Sequence, residues 1–155
     1  KILVVDDDEA VIDLLHAKLA KLYDVVSTNA PERALLLARQ ESPDLIICDI
    51  GMPEFDGADV SWALRNDSGL RDIPFVFLTS LASPSDMQGL GELGGRPAIS
   101  KFCSTAELFA GIQKMLEGYP DAAVKLREQL TQRASQAMTD MRDVRALLDT
   151  GDAPD

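Results

Sequence analysis

Long apolar runs, cysteines and basic residues are all scarce in this chain of 155 residues. No run of 18 or more apolar residues occurs and no secretory leader is visible, so the sequence predicts neither a membrane span nor export. The two cysteines, Cys48 and Cys103, form no metal-ligand spacing and no disulfide framework, which favours a reducing, cytoplasmic location. Lys and Arg number 15 against 26 Asp and Glu, and the net charge of −11 argues against direct binding to nucleic acid or to an anionic membrane.

Short apolar segments alternate with amphipathic segments along the chain, and the alternation repeats five times. Apolar runs predict strands at 2–5, 25–26, 45–48, 75–79 and 98–100. Helical spacing predicts helices at 9–22, 31–40, 58–65 and 85–93, and a capping box of Ser104 and Glu107 opens a fifth helix. Five strand and helix pairs predict an α/β fold with a doubly wound, five-stranded parallel sheet.

Polar residues stand where four of the predicted strands end. The stretch LIICDIGMPEFDGADV, residues 45–60, ends an apolar strand on Asp49 and continues with turn residues. The first strand runs into three aspartates that begin at Asp6, the fourth ends at Thr79, and the fifth is followed by Lys101. Because ligands bind at the carboxyl ends of parallel strands, we expect these side chains to line one pocket.

Four short motifs carry a resemblance to a known family. They are ILVVDDDE, CDIGMPEFDG, FLTS and ISKF, with about 30 residues from Asp49 to Thr79 and about 22 from Thr79 to Lys101. In this order and at these intervals, the chain resembles a CheY-like response-regulator receiver domain of two-component signalling over residues 1–118.

The resemblance implies a flavodoxin-like fold and a role in a phosphorelay. Asp49 would be the phosphoacceptor, and the phosphoryl group would come from a histidine kinase or a phosphotransfer protein. The signal would pass to an output domain or a partner protein. The resemblance therefore implies a signalling protein that assists its own phosphorylation and dephosphorylation, and not an enzyme in the ordinary sense.

Three carboxylates in one pocket repel one another and call for a cation. Mg²⁺ suits a site in which every ligand atom is an oxygen and the protein supplies only some of these oxygens. We expect Asp49 and Asp7 to bind the ion directly and Asp6 to bind it through water, and the backbone carbonyl of Gly51 would fill another position.

Two further residues are expected to stabilise the transferred group, Lys101 as a second cation and Thr79 as a hydroxyl donor. The family usually has proline after this lysine, whereas Phe102 follows it here, so we expect a trans peptide bond and an altered loop. Ala98 stands where the family commonly has Tyr or Phe. We therefore expect the signal to leave through the glycine-containing helix at 85–93 and the neighbouring fifth helix.

Two other functions compete with phosphorylation on Asp49. One is a receiver-shaped interaction module that is never phosphorylated, which Ala98 and Phe102 favour. The other is a phosphatase similar to haloacid dehalogenases, with Asp6 as its nucleophile, because three aspartates follow the first strand. This second alternative leaves Asp49 and the motif after it unexplained.

The chain continues beyond the fifth helix with a pattern of its own. Apolar residues recur every three or four positions, namely Ala123, Leu126, Leu130, Ala134, Ala137, Met141, Val144 and Leu148. This spacing predicts a long amphipathic helix. We therefore divide the chain into a receiver domain at 1–120, a signalling or dimerisation helix at 121–149, and a linker at 150–155. The stripe at 123–148 either joins two copies of the chain or folds back onto its own receiver.

Overall fold

The structure is a computed structural model, and it describes residues 1–80 and 97–149, with the side chains of 1–80, 97–143 and 145. The strands are β1 (Ile2–Val5), β2 (Val25–Thr28), β3 (Leu45–Asp49), β4 (Phe75–Thr79) and β5 (Ala98–Ser100). The helices are α1 (Glu9–Leu19), α2 (Ala34–Glu41), which follows a 3₁₀ turn (Pro31–Arg33), α3 (Gly57–Arg65), α4 (Thr105–Leu116) and α5 (Pro120–Asp149). The helix expected at 85–93 lies outside the described residues.

The five strands form one parallel sheet, as the sequence predicts, and their order in the sheet is β2, β1, β3, β4, β5. Its register aligns the carboxyl ends of the strands. Val5 stands beside both Thr28 and Cys48, and Thr79 stands beside Ser100. The side chains that follow these strands are therefore delivered to one edge.

Both faces of the sheet are covered, which explains why β3 and β4 are apolar almost throughout and fully buried. Ile47 and Leu78 pack in the cluster that includes residues of α1 and α4. Ile46 and Phe77 pack on the opposite face, in the cluster that includes residues of α2 and α3. This two-sided core holds the strand ends in fixed positions.

Local capping defines where several helices begin and end. The expected capping box at Ser104 and Glu107 is present at the start of α4, with both hydrogen bonds formed. The first helix ends at Leu19 and not at the expected Leu22, because the chain turns there and places Tyr23 in the core while Leu22 stays 38% exposed. The prediction followed helical spacing, which does not detect this turn.

The first half of α5 packs against its own chain. Leu126 is only 2% exposed and lies in the same core cluster as residues of α1 and α4, with Ala123 and Leu130 partly buried beside it. Gln129 donates a hydrogen bond from Nε2 to Asp44 Oδ2 at 2.9 Å. The sequence allows Leu126 in a seam between two copies, but in the structure this side chain is buried within its own chain.

A second polar contact ties α5 to the end of α1. Arg133 donates from Nη1 to the carbonyl oxygen of Ala20 at 2.8 Å and forms an ion pair with Asp24. Asp24 precedes β2, so α5 lies near the amino-terminal edge of the sheet, opposite the strand ends that carry the polar side chains. Along the described parts of the chain, none of the helices is long and apolar enough to cross a membrane.

Candidate functional site

Three strand ends bring Asp6, Asp49 and Lys101 into direct contact. Lys101 Nζ lies 2.8 Å from Asp6 Oδ2 and 2.9 Å from Asp49 Oδ2. Asp6 is 0% and Asp49 4% exposed, and the lysine side chain is 13% exposed. One ammonium group therefore bridges two buried carboxylates, as expected from the convergence of the strand ends.

The loop after β5 holds Lys101 in place without a proline. The Lys101 N–H donates to the carbonyl oxygen of Thr79 at 2.8 Å, which extends the pairing of β4 with β5 by one residue. The following peptide bond is trans, as expected, and the Phe102 N–H donates to Ser100 Oγ at 3.2 Å. The phenyl ring is 77% exposed. The chain thus directs the lysine inward and the aromatic ring outward.

Asp6, Asp7 and Asp49 form a carboxylate cluster, each with an oxygen within 4.8 Å of an oxygen of the others. Asp6 Oδ1 accepts a hydrogen bond from the Asp8 N–H at 2.9 Å, and Asp49 Oδ1 accepts one from the Gly51 N–H at 3.3 Å. Asp7 is exposed, whereas the other two are buried. The cluster therefore has a buried floor and an open side.

For both Asp6 and Lys101, burial and ion pairing shift the pKa in opposite directions. Burial raises the pKa of the Asp6 carboxyl, the negative charge of Asp49 adds to the effect, and the contacts with Lys101 and the Asp8 N–H partly offset it. For Lys101, burial alone would lower the pKa, but its contacts with the two carboxylates outweigh burial and raise it. The lysine therefore stays charged, while the carboxylates remain incompletely compensated.

The donor set fits a small divalent cation. Asp6 Oδ2 is fully buried and has no hydrogen-bond partner with favourable angles within the described residues, although the Lys101 ammonium lies 2.8 Å away. Among the described residues, the Lys101 ammonium pairs with two of the three clustered carboxylates, Asp6 and Asp49. Oxygen ligands with an open side are what Mg²⁺ takes in proteins, since it keeps part of its water shell. The residues therefore fit the expected ion.

Thr79 and Gly51 are also placed at this edge. Thr79 is 1% exposed at the end of β4, and its carbonyl oxygen accepts the Lys101 N–H. A side chain added at Gly51 would meet no atom within 4 Å, so this residue borders open space beside the cluster. Their positions are compatible with the expected roles, and the Thr79 hydroxyl as donor and the Gly51 carbonyl as ligand stay predictions.

Sequence reasoning missed Gly57, the first residue of α3. A Cβ at this position would lie 2.2 Å from the Asp49 carbonyl oxygen, and the Gly57 N–H donates to the Ile50 carbonyl oxygen at 3.2 Å. Only glycine permits this approach of α3 to the end of β3. A glycine just after the N-cap Asp56, where helix formers are preferred, was the signal available in the sequence.

Asp7 also lines a groove. Its volume is about 350 Å³, and its walls come from two loops, the one before α2 and the one before α3. The wall residues are Asn29, Ala30, Pro31, Glu32, Pro53, Glu54 and Phe55. Asp7, the exposed carboxylate of the cluster, therefore also borders a groove that is open to solvent.

Comparison with known proteins agrees with this arrangement. A sequence model described as the response regulator receiver domain matches residues 2–113. A probable transcriptional regulator, ycf27, from Porphyridium aerugineum is 40% identical over 118 residues, which are 75% of this chain and 48% of that protein. The chain thus spans about half the length of this curated relative.

Solved structures show the same fold. The BeF3-activated N-terminal receiver domain of Klebsiella pneumoniae RstA is 35% identical, with a TM-score of 0.62 over 74% of this chain and 97% of that one. The chemotaxis protein CheY4 of Vibrio cholerae is 27% identical, with a TM-score of 0.66 over 74% of this chain and 97% of that one. The chain therefore belongs to the response regulator receiver domain family of two-component systems.

Proposed function

We propose that this chain accepts a phosphoryl group on Asp49 from a phosphohistidine of a histidine kinase or phosphotransfer protein, and relays the signal to an output domain or partner. The observation that carries the proposal is the Lys101 ammonium, 2.9 Å from Asp49 Oδ2, beside a cluster of three carboxylates. Catalysis of phosphoryl transfer depends mainly on positioning of the reacting groups and on positive charge around the transferred oxygens. Both are available at this edge of the sheet.

In the proposed reaction, a carboxylate oxygen of Asp49 attacks the phosphorus atom of the donor. An oxygen–phosphorus bond forms, the phosphorus–nitrogen bond breaks, and its electron pair remains on the imidazole. The Gly51 N–H, which donates to Asp49 Oδ1, restrains the orientation of the carboxylate. The core around β3 restrains its position, so the nucleophile is held ready for the donor.

Charge compensation comes from two sources in this proposal. Asp7 and Asp49 would bind Mg²⁺ directly, Asp6 would bind it through water, and the Gly51 carbonyl would be a further ligand. The ion would neutralise part of the charge on the phosphoryl oxygens. The Lys101 ammonium exchanges its contact with Asp49 for one with a phosphoryl oxygen. The Thr79 hydroxyl donates to another phosphoryl oxygen.

Incubation with acetyl phosphate and Mg²⁺, followed by intact-protein mass spectrometry, tests the proposal. We expect a gain of about 80 Da, the mass of one phosphoryl group, and its loss in Asp49→Asn or after EDTA. Asp13→Asn, at an exposed aspartate of α1, is the matched control and should label normally. Label on Asp6 would indicate phosphatase-like chemistry, and absence of label from both acetyl phosphate and a phosphohistidine donor would indicate a pure interaction module.

A further inference from the structure

The second half of α5 extends beyond the body of its own chain. Arg133 makes the contacts with Ala20 and Asp24, and the described side chains from 134 onward, at 134–143 and 145, are all exposed. Residues 134–149 of the helix span about 24 Å at the usual rise per residue. Met138 is 61% and Met141 69% exposed. These two large apolar side chains are therefore exposed on a part of α5 that the rest of the described chain does not cover.

The sequence of this projecting half follows a heptad repeat. Ala134, Ala137, Met141, Val144 and Leu148 alternate at spacings of three and four residues. With Ala134 at position a, they occupy the a and d positions, which form the seam of a two-stranded coiled coil. The seam begins where the contacts with the body end.

Charged residues beside the seam favour one partner and one orientation. In the same frame Asp140 stands at position g and Arg145 at the following position e, and both are exposed. In a parallel, in-register pair, g of one helix faces the following e of the other, so two Asp140–Arg145 pairs of opposite charge would form by symmetry. An antiparallel pair would face g with g and e with e, which places like charges together.

We propose that residues 134–149 of α5 form a parallel, two-stranded coiled coil with the same segment of a second copy of this chain. The docked half of α5 assists, because it already supplies several helical turns and removes the cost of nucleating the helix. Two heptads with two alanines in the seam make a weak interface, so the dimer should dissociate in the micromolar range or above. The dimer does not involve Asp49 and does not depend on the proposed phosphorylation.

Charge reversal tests the register. In analytical ultracentrifugation over a concentration series, Asp140→Arg or Arg145→Asp should raise the dimer dissociation constant about tenfold, because each creates two like-charged pairs. The double variant Asp140→Arg/Arg145→Asp should return to within about threefold of the wild-type value. Asp143→Arg is the matched control for charge and exposure at position c, and it should leave the constant unchanged.

Three outcomes would overturn the proposal. The first is a wild-type chain that stays monomeric up to millimolar concentration. The second is an Asp143→Arg variant that weakens association as much as Asp140→Arg does. The third is a double variant whose dissociation constant does not return toward the wild-type value. Circular dichroism should be the same for all variants, since these side chains are exposed. If a substitution altered the secondary structure, the circular dichroism spectrum would show it independently of any change in dissociation.

Disulfide formation tests the orientation independently. In a Cys103→Ser background, which leaves only the buried Cys48, Ala137→Cys places one thiol at position d of each copy. A parallel, in-register dimer brings these two thiols together, and mild oxidation should yield a covalent dimer on a non-reducing gel. Ser135→Cys, at position b, should stay monomeric under the same conditions. Equal crosslinking of the two variants would show random collision and contradict the proposed seam.

Discussion

Lys101 Nζ reaches Asp49 Oδ2 at 2.9 Å even though Phe102, and not proline, follows the lysine. The Lys101 N–H bond to the Thr79 carbonyl oxygen continues the sheet by one residue and directs the side chain toward the carboxylates. A trans peptide bond is therefore sufficient to place this lysine. The departure from the usual family motif changes the outer surface of the loop, where the Phe102 ring is exposed.

We expect Lys101→Met to slow phosphorylation by acetyl phosphate about a hundredfold, because it removes the ammonium next to the transferred oxygens. The initial rate of mass gain measures the effect. Lys21→Met, at an exposed lysine after α1, should label at the wild-type rate. An unchanged rate and an unchanged phosphate lifetime in Lys101→Met would remove this residue from the mechanism.

Gly57→Ala should destabilise the fold and disturb the acceptor together. The new Cβ would lie 2.2 Å from the Asp49 carbonyl oxygen, so the backbone of α3 or of β3 has to shift. We expect the free energy of unfolding in urea to fall by about 1–3 kcal/mol, with slower labelling of Asp49.

Gly51→Ala is the control for this substitution, because a Cβ there meets no atom within 4 Å. Its free energy of unfolding should stay within about 0.5 kcal/mol of wild type. Equal stabilities of the two alanine variants would show that α3 adjusts to a side chain at position 57 without cost.

Leu126→Ala should lower the free energy of unfolding by about 2–5 kcal/mol, because this side chain is 2% exposed in the core cluster. Val124→Ala, two residues away on the same helix and 51% exposed, should change it by less than about 0.5 kcal/mol. Urea denaturation of both variants gives the comparison. Similar small effects in both would mean that the first half of α5 does not contribute to the folded core.

Mg²⁺ should raise the thermal unfolding temperature, and Asp7→Asn should reduce this response. A ligand at ten times its dissociation constant stabilises by about 1.4 kcal/mol, which differential scanning calorimetry detects. Because Asp7 is exposed, its substitution should leave the stability in EDTA nearly unchanged. A full Mg²⁺ response in Asp7→Asn would exclude this carboxylate as a ligand, and Asp13→Asn serves as the control.

Much of the site followed from the sequence because a parallel sheet has a simple geometry. Each strand was visible as an apolar run, and the next polar residue after it had to emerge at the same edge. The sequence alone therefore groups Asp6, Asp49 and Lys101 at one edge of the sheet. The capping box at Ser104 was equally local, since its two hydrogen bonds join residues three positions apart.

Other features depended on contacts between distant parts of the chain. Helical spacing identified Leu126 as part of an apolar stripe. Only the fold shows that this residue packs in the core near α1 and α4, whereas the described side chains after Arg133 are exposed. Gly57 looked like a turn residue, and its tight approach to Asp49 appears only once α3 is packed beside β3. A sequence pattern determines which face of a segment is apolar, whereas the shape of the neighbouring surface decides what covers that face and how closely.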